Sequence, residues 1–468
     1  MSWTADDVQE RRRPPAPVPR EEAPSVLALL WALRHNPLEA WTREHYERPI
    51  VLSSSALGHS AMVCDPSAIR RVLVENVDNY RKDELQRRLL APALGNGLLT
   101  SGGEAWKSQR RRFAPLFTPR MVESFAPAMA HEAGLLASRW KAARRGRPLD
   151  VAEEMGRVML NILEHSLFSG GLGLAPREFM QAASHYFDTQ GRVDPFDVLG
   201  APDWLPRIGQ IRARPVLKFF TKAVAAVIAA RLKALADNPN DGVFDLLTAL
   251  LQAREAETGQ GMTEAEVAAN IITFIGAGYE TPANTLSWAL FLLAFDETWR
   301  LRMEREADQE MPDGEFIAGT LDRFVITRAF IEETMRLYPP VSIISRQAIG
   351  GDVLAGQPIK PGTIVVLAPW VLHRHRLLWD SPEHFAPSRF LGEARNRIDK
   401  FAYLPFGAGP RVCIGASFAM QEMIIMLATI ARHFRLDMAE GEVVRPVHRI
   451  TLRPEGGLRM ILRQRSPC

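Results

Sequence analysis

The stretch "FGAGPRVCIG", residues 406–415, carries a single cysteine, Cys413, from a glycine-rich loop to the start of an apolar segment, "ASFAMQEMIIMLATIARHF". Gly407, Gly409 and Gly415 permit positive φ and close backbone approach. Pro410 stiffens the loop. The following segment reads as a helix, whose N-terminal amides and dipole favour thiolate over thiol. A free cysteine more commonly serves as a small buried hydrophobe. A stabilised thiolate on a rigid loop suits a nucleophile or a metal ligand instead.

A nucleophile needs a base; His433 lies about five helical turns further on, and the more distant histidines stay open as bases, though none has a motif around it. No second cysteine is close enough to share a metal. Cys64, Cys413 and Cys468 are far apart, which argues against a disulfide framework and for a reducing compartment. One thiolate bound to an iron porphyrin remains, because the macrocycle supplies the other four equatorial ligands.

The rest of the chain bounds this reading. Its 468 residues are ample for a large core. Lys and Arg number 57 against 54 Asp and Glu, which speaks against a dedicated nucleic-acid binder. Residues 1–24, charged and Pro-rich, read as a flexible tail. The run "VLALLWAL" is far short of the roughly 20 residues of a membrane span. Residues 25–468 read as one domain, mainly α with a minor β part. Thr263 and Glu266 mark a capping box, and the helix they start is expected to run to Phe295, nearly 50 Å. A second helix, "RFVITRAFIEETMRLY", stops at Pro339-Pro340. "VHRITLRPEGGLRMILR" reads as a hairpin turning at Glu455-Gly456-Gly457.

Three further constellations stand out. In "EETMR", Glu333 and Arg336 share a helical face; taken alone they could be a surface ion pair. In "AGYET", residues 277–281, Ala277 and Gly278 leave space beside the long helix, and Pro282 strips the Gly278 carbonyl of its partner. That pattern suits either close helix packing or a polar groove. In "WKSQR", Trp106 and Arg110 open a basic helix.

Together with Cys413 these motifs resemble the cytochrome P450 family. Phe406, Gly409, Arg411, Cys413 and Gly415 fill its haem-loop signature. Glu333 and Arg336 resemble its ExxR motif, completed by Arg389 of "APSRF", where the family more often has Glu in place of Ser388. The resemblance spans roughly residues 45–463. It implies the cytochrome P450 fold, with a long central helix over haem b (iron protoporphyrin IX) and Cys413 as proximal iron ligand. Phe406, Gly407, Gly415 and Ala277 would border the cofactor. Trp106, Arg110, Arg346 and Arg411 would hold its propionates, and Glu333, Arg336 and Arg389 would form a structural network.

The activity implied is that of a haem-thiolate monooxygenase, inserting one atom of the co-substrate O2 into a C–H bond. Thr281 and Glu280 would relay protons. Phe274, Ala277, Val341, Ile343 and Ile450 would line an apolar pocket for a lipophilic small molecule, joined by the loop around "LLAPALGNGLL". No dinucleotide or P-loop pattern is present, so a separate ferredoxin or flavodoxin with its reductase is expected. Arg110, Arg111, Arg112 and Lys400 are candidates for its docking face. A cytoplasmic monomer is expected. The rival readings are a peroxygenase or isomerase that needs no reductase, and a non-enzymatic haem sensor.

Overall fold

The computed structural model describes residues 13–466 except 56–57, 144–145, 170–175, 199–200, 202–206, 238–244 and 253–260. Residues 1–12 of the expected tail, most of "SGGLGLAP" and nearly all of "DNPNDG" lie outside the described residues. The longer helices are α1 (Val26–His35), α2 (Glu84–Leu94), α3 (Gly103–Phe113), α4 (Ala126–Ala142), α5 (Val151–Leu167) and α6 (Pro176–Gln190). They continue with α7 (Ile208–Asp237), α8 (Glu264–Phe295), α9 (Glu297–Glu310), α10 (Val325–Leu337) and α11 (Ala416–His433). Among the described residues no helix is long and apolar enough to cross a membrane.

Helix α8 is the axis of the molecule. It starts at the expected capping box: the Thr263 hydroxyl accepts from Glu266 N at 3.2 Å, and the Glu266 carboxylate accepts from Thr263 N at 2.9 Å. Trp288, Leu286 and Leu290 on it have no exposed surface. A helix apolar on nearly every side must be enclosed by others. Helix α5 lies against it. A Cβ on Gly278 would come within 2.9 Å of Leu163 on α5. The space expected beside the helix is thus filled at Gly278 and open only at Ala277, which is exposed. The helix continues through Pro282 without a break.

The β part is small. Strands β1 (Ile50–Ser55) and β2 (Gly58–Val63) form an antiparallel hairpin. With β3 (Tyr80–Arg81), β5 (Ile344–Ala348) and β8 (Ile364–Leu367) they make a five-stranded sheet of order β1-β2-β8-β5-β3. Strand β4 (Pro148–Asp150) joins β12 (Arg459–Gln464) and β9 (Phe434–Met438), while β6 (Asp352–Leu354) pairs with β7 (Gln357–Ile359).

The C-terminal hairpin differs from expectation. Strand β10 (Pro446–His448) pairs with β11 (Leu452–Pro454), turning at Arg449–Thr451, whereas β12 pairs with β9 and β4. Glu455-Gly456-Gly457 is therefore a crossing between sheets, with Gly456 and Gly457 at φ +77° and +91°. A Cβ on Gly457 would strike the Asp150 carboxylate.

The tail also differs. From Arg13 onward it is tied down. Tyr338 Oη donates to Pro15 O at 2.9 Å, Arg20 Nε donates to Glu39 O at 2.7 Å, and Arg20 bridges to Thr42. Each bond gives an otherwise polar, Pro-rich segment a fixed place on the core.

Candidate active site

The Cys413 loop is built as a tight cradle. Cys413 N donates to Phe406 O at 2.9 Å, closing it. Gly407 and Gly409 have φ of +72° and +73°, a region L side chains rarely adopt. A Cβ on Gly409 would lie 2.0 Å from the carbonyl oxygen of Leu73, so the backbones touch there. Gly415 differs from expectation: its φ is −93°, and a Cβ there would make ordinary contact with Phe117 at 3.8 Å. Its contribution is its amide. Burial pushes the Cys413 thiol pKa up, while the Gly415 amide hydrogen bond and the Arg110 charge pull it down. The thiol is deep enough for burial to dominate, yet it remains accessible.

Cations gather beside it. Burial lowers the pKa of Arg110 and Arg346. Arg411 is lowered to about 10 by burial and by Arg346. Lys82 is lowered to about 7 by burial, Arg411 and Arg346. Their hydrogen bonds among the described residues go to backbone carbonyls: Arg411 to Ser101 O at 3.1 Å, Arg346 to Ser345 O at 2.8 Å, and Lys82 to Leu99 O. The Arg411 guanidinium lies 4.2 Å over the Trp106 ring. Asp83 acts on Arg346 from a distance, but no carboxylate pairs with these cations within 4 Å among the described residues, and partly buried cations so placed suit an anionic ligand. Lys82 carries no motif, and only its fold-given neighbours disclose it.

On α8, Ala277 is exposed and Thr281 half-buried. The Thr281 hydroxyl donates to Ala277 O at 2.7 Å. Glu280 is buried and turned elsewhere. It accepts from Thr451 Oγ1 at 2.7 Å, and that hydroxyl accepts from Asn284 Nδ2 at 3.1 Å. Burial raises the Glu280 pKa to about 7 against the pull of Thr451, Arg453 and Asn284. Asn284, one turn beyond Glu280, was available to a helical-face reading; Thr451, 171 residues away, was not.

Of the expected pocket residues, Val341, Ile343 and Ile450 come from segments that the fold joins. Leu452 N donates to Pro340 O at 2.9 Å, and Ser342 Oγ bonds His448 Nδ1 at 2.6 Å. Phe274 is nearly buried, its ring edge-on to Phe113 and stacked on Phe117 at 5.3 and 5.8 Å. Phe117 lies near Gly415, where an added Cβ would meet its ring at 3.8 Å, so Phe274 and the cysteine loop share Phe117 as a neighbour. Of the "LLAPALGNGLL" stretch, residues up to Leu94 are helical, as part of α2.

Glu333 and Arg336 are not a surface pair: both side chains have no exposed surface. Arg389 approaches Glu333 at 3.7 Å. The expected docking cations separate. Arg110 turns toward the thiol, Arg111 is exposed, Arg112 is half-buried, and Lys400 lies 5.5 Å over the Phe401 ring.

The donor set fits a haem: an accessible thiol with a backbone amide to its sulfur, four cations with no carboxylate within 4 Å among the described residues, and a small exposed residue, Ala277, on α8. The cytochrome P450 family profile matches residues 17–460. Cyclooctatin synthase of Streptomyces melanosporofaciens is 31% identical over 401 residues, covering 85% of each chain. Cyclooctat-9-en-7-ol 5-monooxygenase from the same organism is 30% identical, covering 86% of this chain and 89% of its own. The cytochrome P450DA heme domain superimposes with a TM-score of 0.82 at 22% identity, covering 97% of this chain and 98% of that one. From the cysteine cradle to the whole-chain superposition, the chain belongs to the cytochrome P450 family.

Proposed function

We propose that this protein is a monooxygenase that inserts one oxygen atom of O2 into a C–H bond of a lipophilic small molecule, with haem b held on Cys413. The observation that carries this reading is an accessible Cys413 thiol, held by the Gly415 amide and facing the Arg110 charge, in a chain of the cytochrome P450 family. The names of two relatives concern cyclooctatin and cyclooctat-9-en-7-ol, and such compounds are the first substrates to test.

The haem, when bound, supplies O2 activation, and a thiolate ligand favours O–O cleavage. The chain's own residues do the rest. Cys413 would hold the iron. Arg110, Arg346, Arg411, Trp106 and the unanticipated Lys82 would hold the propionates. Thr281 Oγ1, whose hydrogen goes to Ala277 O, would accept a hydrogen bond from a water or other donor beside it. Glu280, with a pKa near neutral, takes protons up and hands them on. Phe274, Ala277, Val341, Ile343 and Ile450 shape an apolar volume that excludes water. Electrons come from a separate ferredoxin or flavodoxin system.

The test is the reduced CO spectrum of the purified protein, followed by titration of the ferric form with a lipophilic library. A red-shifted thiolate–CO band that disappears in Cys413→Ala, a spin-state shift with at least one compound, and uncoupling in Thr281→Ala are expected. A normal thiolate band in Cys413→Ala overturns the ligand assignment. Unchanged coupling in Thr281→Ala overturns the relay.

A further inference from the structure

Glu280 is held from across the molecule. Its carboxyl accepts the Thr451 hydroxyl at 2.7 Å, and Asn284 Nδ2 donates to that hydroxyl at 3.1 Å. Because Asn284 occupies the oxygen as a donor, the hydroxyl hydrogen is left to point at Glu280. A hydroxyl donates to a carboxylate and, after rotating, accepts from a carboxylic acid. Thr451 can therefore serve either protonation state without moving its backbone.

That backbone is firmly placed. Thr451 closes the β10–β11 turn, with Arg449 N donating to Thr451 O at 3.0 Å, and Leu452 N donates to Pro340 O at 2.9 Å. Two residues on, Arg453 pairs with Asp188 of α6. Arg453 is 20% exposed and Asp188 50%, so this pair reaches solvent. A Cβ on Gly191, just after α6, would meet Ile450 N at 3.2 Å. One hairpin tip thus touches the buried acid, the pocket segment, and the end of α6.

We propose that Thr451 is a positioning residue for proton delivery: its hydroxyl holds the Glu280 carboxyl toward the hairpin, where the adjoining Arg453–Asp188 pair marks the opening to solvent. This rests on the reading of Glu280 as the proton-carrying acid. The charged groups facing that acid are Arg453 and Asp188; the neutral ones are Thr451, Asn284 and the buried Tyr279, whose own pKa the Glu280 charge pushes up. Without Thr451 the carboxyl loses its orienting donor and its route outward. Burial raises the Glu280 pKa, and the Thr451 bond opposes it, so removing the hydroxyl moves the titration further up.

The test compares Thr451→Val, which keeps the shape, with Thr451→Ser, which keeps the hydroxyl. Infrared pH-difference spectra of the full-length holoprotein follow the Glu280 carboxyl, assigned by its absence in Glu280→Gln. Thr451→Val is expected to raise its midpoint by about one pH unit, the loss of one hydrogen bond to a charged group. It should also cut product formed per electron pair by about tenfold, with a changed solvent isotope effect. Thr451→Ser should restore both. An unmoved midpoint with intact coupling in Thr451→Val, while Thr281→Ala uncouples, overturns the proposal and leaves Thr451 a packing residue. Intact coupling in both Glu280→Gln and Thr281→Ala overturns the relay itself, and with it the role given to Thr451.

Discussion

Arg336 and Glu333 face each other through two hydrogen bonds, Nε to Oε2 at 2.6 Å and Nη2 to Oε1 at 2.7 Å, and neither side chain has exposed surface. Arg336 also donates to the carbonyls of His373, Pro382 and His384, at 2.7–2.8 Å. Glu333 accepts from Ala386 N at 2.7 Å. One buried pair therefore pins two loops to α10. Removing one partner leaves the other charge uncompensated, at a cost of about 3–5 kcal/mol. Arg336→Leu is expected to lose that much in urea denaturation and to purify with little haem. Arg336→Lys should not rescue it, because an ammonium cannot reproduce the planar fork. Full haem occupancy in Arg336→Leu would remove the network's structural role.

Gly409 and Gly415 look equivalent in the loop but are not. Gly409 has φ +73° and no room for a Cβ beside the Leu73 carbonyl. Gly415 has φ −93° and only ordinary contact with Phe117. Gly409→Ala should abolish the thiolate–CO band, while Gly415→Ala should keep it, with a stability loss below about 1 kcal/mol. Spectra and urea midpoints of the two variants check this. Equal damage in both contradicts the loop geometry.

Gly278 sets how closely α5 and α8 approach. A methyl there meets Leu163 at 2.9 Å, so Gly278→Ala should cost about 1–3 kcal/mol by overpacking. In a Leu163→Ala background the same change should cost almost nothing. A double-mutant cycle in urea measures the difference. Additive costs would mean the two residues are not in contact.

Glu280 links stability to pH. Its folded pKa of about 7 lies above the ordinary value of 4.5, so the folded state binds more protons in between. The stability associated with the protonated acid is fully present below about pH 4.5 and is lost as pH rises through 7. The loss is on the order of 3 kcal/mol above neutrality. Glu280→Gln should remove that slope, becoming the more stable protein above about pH 7. Urea midpoints across this range give the answer; parallel wild-type and variant profiles would show that Glu280 ionises freely in the fold.

Much of the architecture was legible in local chemistry. Thr263 and Glu266 predicted the start of α8, and the helix runs to Phe295 as its apolar pattern required. Cys413 at the mouth of α11 followed from glycines, proline and a helix start. These are interactions between residues a few positions apart, and such interactions are written in order along the chain.

Other features were decided only by folding. The i,i+3 spacing of Glu333 and Arg336 could not distinguish a solvated pair from a sealed one; the loops that bury them come from residues 373–386. The C-terminal glycines look like a hairpin turn, but β12 finds its partners in β9 and β4. Lys82 joins the Cys413 cations because the Arg346 strand and the Arg411 loop converge on it. Thr451 meets Glu280 across 171 residues. The sequence alone determined the extent of α8 and the glycine-bounded Cys413 loop ahead of α11, because capping, glycine conformation and apolar period act within a turn or two; the chemistry expected there came from the resemblance of the motifs to a family. Burial, partner choice and pKa were decided by the tertiary structure, since they depend on which distant segments exclude water from a side chain.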